Sequence, residues 1–129
     1  MTGEELVDRF EQLEIPGDSF HHADHVQLAF TYLNKYSTLD ALERFICALK
    51  RFAEAQGKTR LYNETITFAF FFLIRERIAR STVNSWEEFC SQNPDLLILK
   101  GGILDRYYSE ETLKSDLARS VFLFPDRSR

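Results

Sequence analysis

The stretch TITFAFFFLI, residues 65–74, is the most apolar run in the chain, and it lies between Glu64 and Arg75. Its ten residues are about half of the number that a helix needs to cross a bilayer. A run of this length with polar flanks is typical of a helix buried in a protein core. We therefore predict a helix over about residues 61–80 that is apolar on nearly all sides and forms the centre of a helical bundle.

The segments on both sides of this run show the three- to four-residue spacing of apolar side chains that amphipathic helices have. Strict two-residue alternation, the pattern of strands, is lacking. Ser37 or Thr38 is a good N-cap for the third helix, and Gly57 ends it. The predicted helices cover about residues 3–13, 22–36, 38–56, 61–80, 85–92, 103–108, 109–114 and 115–120. The fold class is therefore all-α: one domain, residues 1–129, built as a bundle of about five main helices followed by short C-terminal helices.

Composition and charge exclude several classes of function. The 129 residues are 44% hydrophobic and 14% aromatic, which is enough for the core of one domain. The net charge is −4 and the basic residues are scattered, which argues against a nucleic-acid surface. The start MTGEELVDRF lacks the pattern of a signal peptide, and Cys47 and Cys90 lack metal or redox spacing. We predict a cytoplasmic protein that binds neither nucleic acid nor membrane.

All three histidines of the chain lie in the segment FHHADH, residues 20–25. Helical spacing would place His21 and His25 on one stripe of the second helix, and His22 on the neighbouring stripe that faces the core. An i, i+4 histidine pair can share one metal ion, and it binds the ion in the neutral form expected near pH 7. The simpler alternative is that the histidines and Asp24 only cap the helix start.

Short connections make sequential helices antiparallel, so the second and fourth predicted helices run in the same direction. Their starts, residues 20–25 and 62–65, then meet at one end of the bundle, together with residues 100–108. Glu64 is the carboxylate most expected to turn inward, where it needs a partner. The sequence thus predicts a shared polar site at this end. The predicted metal ligands are His21, His25 and Glu64, and the predicted ligand-binding residues are His22, Tyr62, Asn63 and Tyr108.

Three stretches, FHHADHVQLAFTYL, LYNETITFAF and RYYSEETLKSDLARSVFLFPD, together resemble a family of small bacterial all-α proteins without an established activity. They span nearly the whole chain, and the first two are specific in combination. The resemblance implies a helical fold and a shared site, and it implies no reaction. In that family the position of Asn63 is usually histidine. This chain would therefore lack one candidate ligand or proton carrier, which makes metal binding less expected.

Two functions remain as alternatives. The first is a His/Glu-lined pocket at one end of the bundle that binds a small molecule or a divalent metal ion. A metal would supply Lewis-acid or activated-water chemistry, whereas a His–Glu pair alone can act as acid and base. The second is a non-enzymatic interaction module, with homodimers as one form. Its histidines would only cap the second helix, and its exposed Phe122, Leu123 and Phe124 would bind a partner. The convergence of polar groups favours the pocket.

Overall fold

A computed structural model describes residues 1–127 and confirms the all-α prediction. Within these residues the chain forms seven α-helices and four short 3₁₀ turns, and no β-strand. The α-helices are α1 (Gly3–Glu11), α2 (His22–Lys35), α3 (Thr38–Ala55), α4 (Glu64–Arg80), α5 (Trp86–Gln92), α6 (Glu110–Leu113) and α7 (Asp116–Ser120). The 3₁₀ turns cover Gly17–Ser19, Thr59–Leu61, Pro94–Leu97 and Ile103–Arg106. The prediction for the fourth helix began too early, because residues 59–61 form a separate turn.

Side-chain caps and one glycine fix where the helices begin and end. The Ser37 hydroxyl accepts the backbone N–H of the third residue of α3, and the Ser85 hydroxyl accepts that of Glu88 at 3.2 Å. Each cap satisfies a backbone donor that the helix itself leaves unpaired. Gly57 follows α3 with a φ of +67°, a left-handed conformation that glycine adopts without steric conflict. These boundaries were predicted and are confirmed.

Helix α2 lies at the centre of the bundle, where it contacts α1, α3, α4 and the 3₁₀ turn Pro94–Leu97. Its Val26 and Leu28 side chains are almost completely buried. Helix α4 packs on α2, α3 and α7, but Phe72 on its outer side is 45% exposed and Phe68 is only half-buried. The C-terminal segment covers only part of the outer side of α4, so this helix lies at the surface of the bundle. The prediction that α4 is the central helix is therefore wrong. None of the described helices is long and apolar enough to cross a membrane.

The segment after α7 packs back onto α4 through Thr65, which is completely buried. The Thr65 hydroxyl donates a hydrogen bond to the Val121 carbonyl at 2.9 Å and accepts one from the backbone N–H of Leu123 at 3.1 Å. Phe122 and Phe124 are exposed, as predicted, but the prediction that Leu123 is exposed is wrong, because these bonds hold it half-buried. The C-terminal segment is thus anchored by its backbone and directs two aromatic side chains into solvent.

Candidate functional site

A cavity of about 390 Å³ lies between the start of α2, the second half of α3 and the first half of α4. This volume lies within the range of ligand-binding clefts, about 300–1,000 Å³. Gln56, Leu61 and Leu99 are exposed and mark its mouth. The residues that line it are mostly apolar: Gly17, Phe20, His22, His25, Val26, Phe45, Leu49, Phe52, Ala53, Gln56, Leu61, Tyr62, Asn63, Ile66, Thr67, Phe70, Ile74 and Leu99.

Small residues leave this space where the end of α3 meets the segment before α2. Ala53, in the last turns of α3, lines the cavity with only a methyl group and is 6% exposed. Gly17 lies directly against Gln56, and a Cβ added to it would come within 2.3 Å of the Gln56 amide oxygen. A larger side chain at position 53 would extend into the cavity, and one at position 17 would displace Gln56 from its mouth.

His25 forms part of the cavity wall, and its ring packs on Phe20 with 4.4 Å between the ring centroids. Burial, and to a smaller extent the neighbouring His22, lower the pKa of His25 to about 4. A hydrogen bond to the backbone of His21 and the charge of Asp24 act in the opposite direction without reversing the shift. Because the charged form of a buried imidazole loses its hydration, the ring is neutral at pH 7.

His22 lines the cavity beside His25, with 6.5 Å between the two ring centroids. Its Nε2 lies 2.9 Å from the carbonyl oxygen of Leu96, and the ring contacts Phe70 edge-on. Burial lowers the pKa of His22 as well, so this ring is also neutral at pH 7. A carbonyl only accepts hydrogen bonds, so Nε2 carries the hydrogen and Nδ1 is left as an acceptor.

The structure does not bring His21 and Glu64 into this cavity. His21 precedes α2 in an extended conformation and is exposed, so its side chain does not share a helical stripe with His25, although its carbonyl accepts the backbone N–H of His25 at 3.2 Å. Its backbone N–H donates to the Asp24 carboxylate at 2.9 Å, the capping role of the simpler alternative. Glu64 accepts a hydrogen bond from the Tyr62 hydroxyl at 2.6 Å and is not part of the cavity wall.

The predicted metal ligands His21, His25 and Glu64 therefore do not converge. Among residues 1–127, no group of three or more histidine, cysteine, aspartate or glutamate side chains is arranged to hold a metal ion. The pair that does form at the start of α2 is His22 and His25. It results from i, i+3 spacing on the helix itself.

Tyr62 and Asn63 lie in the cavity wall, as expected for ligand-binding residues, but their polar groups are already used. The Tyr62 hydroxyl is bonded to Glu64, and burial together with that carboxylate raises its pKa. Asn63 caps α4 by accepting the backbone N–H of Ile66 at 3.0 Å, and its amide donates to the Leu113 carbonyl at 2.8 Å. Both residues thus shape the wall and leave little hydrogen-bonding capacity for a ligand.

Tyr108, the fourth predicted ligand-binding residue, lies outside the cavity wall. It is 2% exposed, and its hydroxyl donates to the Leu123 carbonyl at 2.7 Å. Burial raises the pKa of this hydroxyl, which stays protonated. Tyr108 therefore secures the C-terminal segment through the Leu123 carbonyl, and its hydroxyl is not available to a ligand in the cavity.

The α3 wall of the cavity was not predicted from the sequence. Leu49, Phe52 and Ala53 belong to the apolar face of that helix, and an apolar face alone indicates burial without indicating an empty space beside it. The only signal of it in the sequence was the small size of two residues that line the space, Gly17 and Ala53. That signal has meaning only once the spatial neighbours are known.

The wall of the cavity is electrically neutral at pH 7. Within residues 1–127, no Asp, Glu, Lys or Arg side chain lines it, and both of its imidazoles are uncharged. No protein-family model, curated protein or solved structure matches this chain. The family resemblance stays a prediction, and the chemistry of the site rests on the geometry of the cavity.

Proposed function

We propose that this protein binds a small, neutral and largely apolar organic molecule in the cavity between α2, α3 and α4. The observation that carries the proposal is a space of about 390 Å³ that opens to solvent at one side, is lined mostly by apolar side chains and carries two neutral imidazoles. Binding sites for small molecules are commonly concave and apolar, with a few polar groups that orient the ligand. A wall of this kind favours a molecule over a bare metal ion.

The neutrality of the wall sets the charge of the ligand. A charged group that enters an apolar cavity loses its hydration and needs an opposite charge or several hydrogen bonds in return. The described wall offers no charged partner. The ligand is therefore uncharged in the cavity, and its binding free energy comes mainly from burial of apolar surface.

The volume supports a ligand of one or two rings. An engineered apolar cavity of roughly 150 Å³ is large enough for benzene, and the space here is more than twice that size. Toluene is therefore a suitable test molecule even though the natural ligand is larger. We expect it to bind with a Kd of about 1 mM or below, which corresponds to about −4 kcal/mol.

The test is a titration of methyl-labelled protein with toluene, followed by NMR. We expect saturable shifts of the methyl groups of Leu49 and Ile66, which line the cavity, and of the Ala53 methyl group. The methyl groups of Leu6 and Leu28 are buried elsewhere and serve as internal controls that stay in place. Absence of saturable shifts up to the solubility limit of toluene would overturn the proposal.

A pair of variants on α3 separates the cavity from other sites. Ala53→Phe places a ring in the cavity and should abolish the toluene shifts, whereas Ala55→Phe, two residues later and exposed, should leave them intact. If both variants bind toluene equally, the molecule occupies some other part of the protein.

A second candidate function is self-association through an exposed aromatic face on the outside of α4. The ring centroids of Phe72 and Phe68 are 6.5 Å apart, those of Phe68 and Phe122 are 5.9 Å apart, and those of Phe122 and Phe124 are 5.7 Å apart. An apolar face can pair with a second copy of itself about a twofold axis. Sedimentation equilibrium tests this candidate: a monomer at high micromolar concentration contradicts it, and a dimer that Phe124→Ser dissociates supports it.

A further inference from the structure

We propose that the pocket between the turn Thr59–Leu61 and α7 binds the phosphate group of a small soluble phosphate monoester through the guanidinium groups of Arg60 and Arg119. This site is separate from the cavity between α2, α3 and α4, and the inference does not depend on the proposed function. It follows from the pairing of the two arginines, from the charge of the pocket and from the donors that the pocket leaves unused.

The pocket has a volume of about 230 Å³ and lies where two segments that are distant in sequence meet. A volume of this size holds several water molecules, so it has room for a phosphate group. Its wall differs from that of the larger cavity, because every residue that lines it carries a hydroxyl group or a charge. These residues are Thr59, Arg60, Tyr62, Asp116, Arg119 and Ser120.

The two arginines of the pocket converge on one oxygen atom. Nη2 of Arg60 lies 2.9 Å from Oδ1 of Asp116, and Nη1 of Arg119 lies 2.8 Å from the same oxygen. The two guanidinium groups are therefore held close together. The carboxylate balances only one of their two charges, so the pocket keeps one positive charge in a chain whose net charge is −4. A second anion in the pocket would reduce the repulsion between the two cations.

Most of the N–H donors of these two arginines are unused. A guanidinium group has five N–H donors. Within residues 1–127, Arg60 and Arg119 each use one of them, for Asp116. Arg77 shows the structural use of an arginine, because it forms three hydrogen bonds with side chains of residues 93–95. The pocket thus offers unused donors of the kind that bind oxyanions.

Asp116 indicates why the ligand is a phosphate and not a carboxylate. Its own carboxylate already occupies the position of an anionic ligand, and the two arginines lower its pKa, so it is fully ionised at neutral pH. A free carboxylate has the same chemistry and lacks the covalent attachment of Asp116, so it competes poorly. A phosphate monoester carries nearly two negative charges and three acceptor oxygens. These oxygens can accept from both guanidinium groups and from the Thr59 hydroxyl, which forms no hydrogen bond within residues 1–127.

The experiment is a titration of ¹⁵N-labelled protein with inorganic phosphate and with glycerol 3-phosphate at pH 7 and constant ionic strength, followed by NMR. We expect saturable shifts of the side-chain Nε–H resonances of Arg60 and Arg119, with a Kd of about 1 mM. Acetate at the same concentrations should cause no saturable shift. The resonance of Arg80, which forms a similarly exposed ion pair with Glu76 outside the pocket, should stay in place.

Three variants test the assignment to these side chains. Arg119→Gln should weaken phosphate binding about tenfold or more, because it removes hydrogen bonds from a charged donor. Asp116→Asn should strengthen phosphate binding by about the same factor, because the pocket then keeps both positive charges and loses the competing carboxylate. Arg80→Gln removes a similarly exposed arginine outside the pocket and should leave the phosphate Kd unchanged.

Tighter binding in Asp116→Asn is the most informative result, since a damaged fold would weaken binding. Absence of saturable shifts with both phosphate compounds up to high millimolar concentration would overturn the proposal, and so would an unchanged phosphate Kd in Arg119→Gln. Equally tight binding of acetate would overturn the assignment to phosphate. Binding to phosphatidate vesicles without binding of glycerol 3-phosphate would assign the phosphate to a lipid and overturn the soluble class.

Discussion

Two parts of the core are equally buried and differently filled. In the packed region, Leu28 and Ala29 on α2 are 0% exposed, and Phe30 packs against Phe89 of α5 at a tilt, with 4.8 Å between ring centroids. In the cavity region, Leu49 and Ala53 on α3 are 7% and 6% exposed, yet they face a space of about 390 Å³. The difference teaches that burial and packing density are separate properties of a core.

The two regions follow from different physical requirements. The packed region gains dispersion contacts on all sides of each side chain and supplies most of the stability. The cavity region gives up part of those contacts, and the stability lost grows with the volume left unfilled. Four changes test this contrast, from the largest expected effect on the free energy of unfolding to the smallest.

The largest contrast comes from truncating one leucine in each region. Leu28→Ala should lower the free energy of unfolding by about 4 kcal/mol, because a filled site loses contacts on every side. Leu49→Ala should lower it by only about 2 kcal/mol, because that side chain already faces empty space on one side. Urea denaturation measures both, and equal losses would remove the distinction between the regions.

The pH dependence of stability tests the burial of His25. Its pKa is about 4 in the folded protein and about 6.5 in the unfolded chain, so the folded state binds fewer protons between these values. Stability is therefore fully present above pH 6.5 and is lost as the pH falls toward 4, by on the order of 3 kcal/mol from this residue. His25→Phe should flatten the profile in this window relative to wild type. An exposed-site control, His21→Phe, should keep the wild-type slope.

Enlarging one alanine in each region should have opposite effects. Ala29→Leu overfills a packed site and should destabilise the protein by about 1–3 kcal/mol. Ala53→Leu extends into the cavity and should stabilise it by up to about 1 kcal/mol, as cavity-filling changes do. Thermal unfolding of the two variants reports the sign directly. Destabilisation by both changes would mean that the cavity wall is packed as tightly as the rest of the core.

The smallest effect on the free energy of unfolding is expected from Glu64, a side chain at the start of α4 that is not part of the cavity wall. Glu64→Gln keeps an acceptor for the Tyr62 hydroxyl and removes only a favourable charge at the start of α4, worth about 0.3–1 kcal/mol. Toluene affinity should not change in this variant. A large loss of affinity would place the carboxylate at the ligand and restore the predicted role of Glu64.

The fold was largely predictable from the sequence, because helix caps and apolar periodicity are local signals. Ser37, Ser85 and Gly57 marked helix ends that the structure confirms. The prediction that α4 lies at the centre of the bundle was wrong, because α2 occupies that place. The run of phenylalanines shows that α4 is hydrophobic, but it does not show which side of α4 the C-terminal segment covers. The exposure of Phe72 follows from that tertiary contact and could not be predicted from the run alone.

The sequence predicted which segments of the chain meet at the site. It did not predict which side chains of those segments face the cavity. The starts of α2 and α4 place His22, His25, Tyr62 and Asn63 in the wall of one cavity, as the predicted order of helices suggested, whereas residues 100–108 do not line it. The assignment of individual side chains depended on where α2 begins. A start at His22 leaves His21 outside the helix and pairs His22 with His25. The start of α2 near residue 22 was predicted correctly, and the error was to extend the helical spacing back to His21, which precedes the helix.

The central claim is that the space between α2, α3 and α4 accepts a small apolar molecule. Its most direct test is a crystal of the protein pressurised with xenon, an apolar atom that scatters strongly. We expect a strong density peak inside the cavity, in contact with Leu49, Phe70 and Ile74, and none in the packed region. A cavity without xenon, closed by Phe52 or Leu99 or filled with ordered water, would contradict the claim.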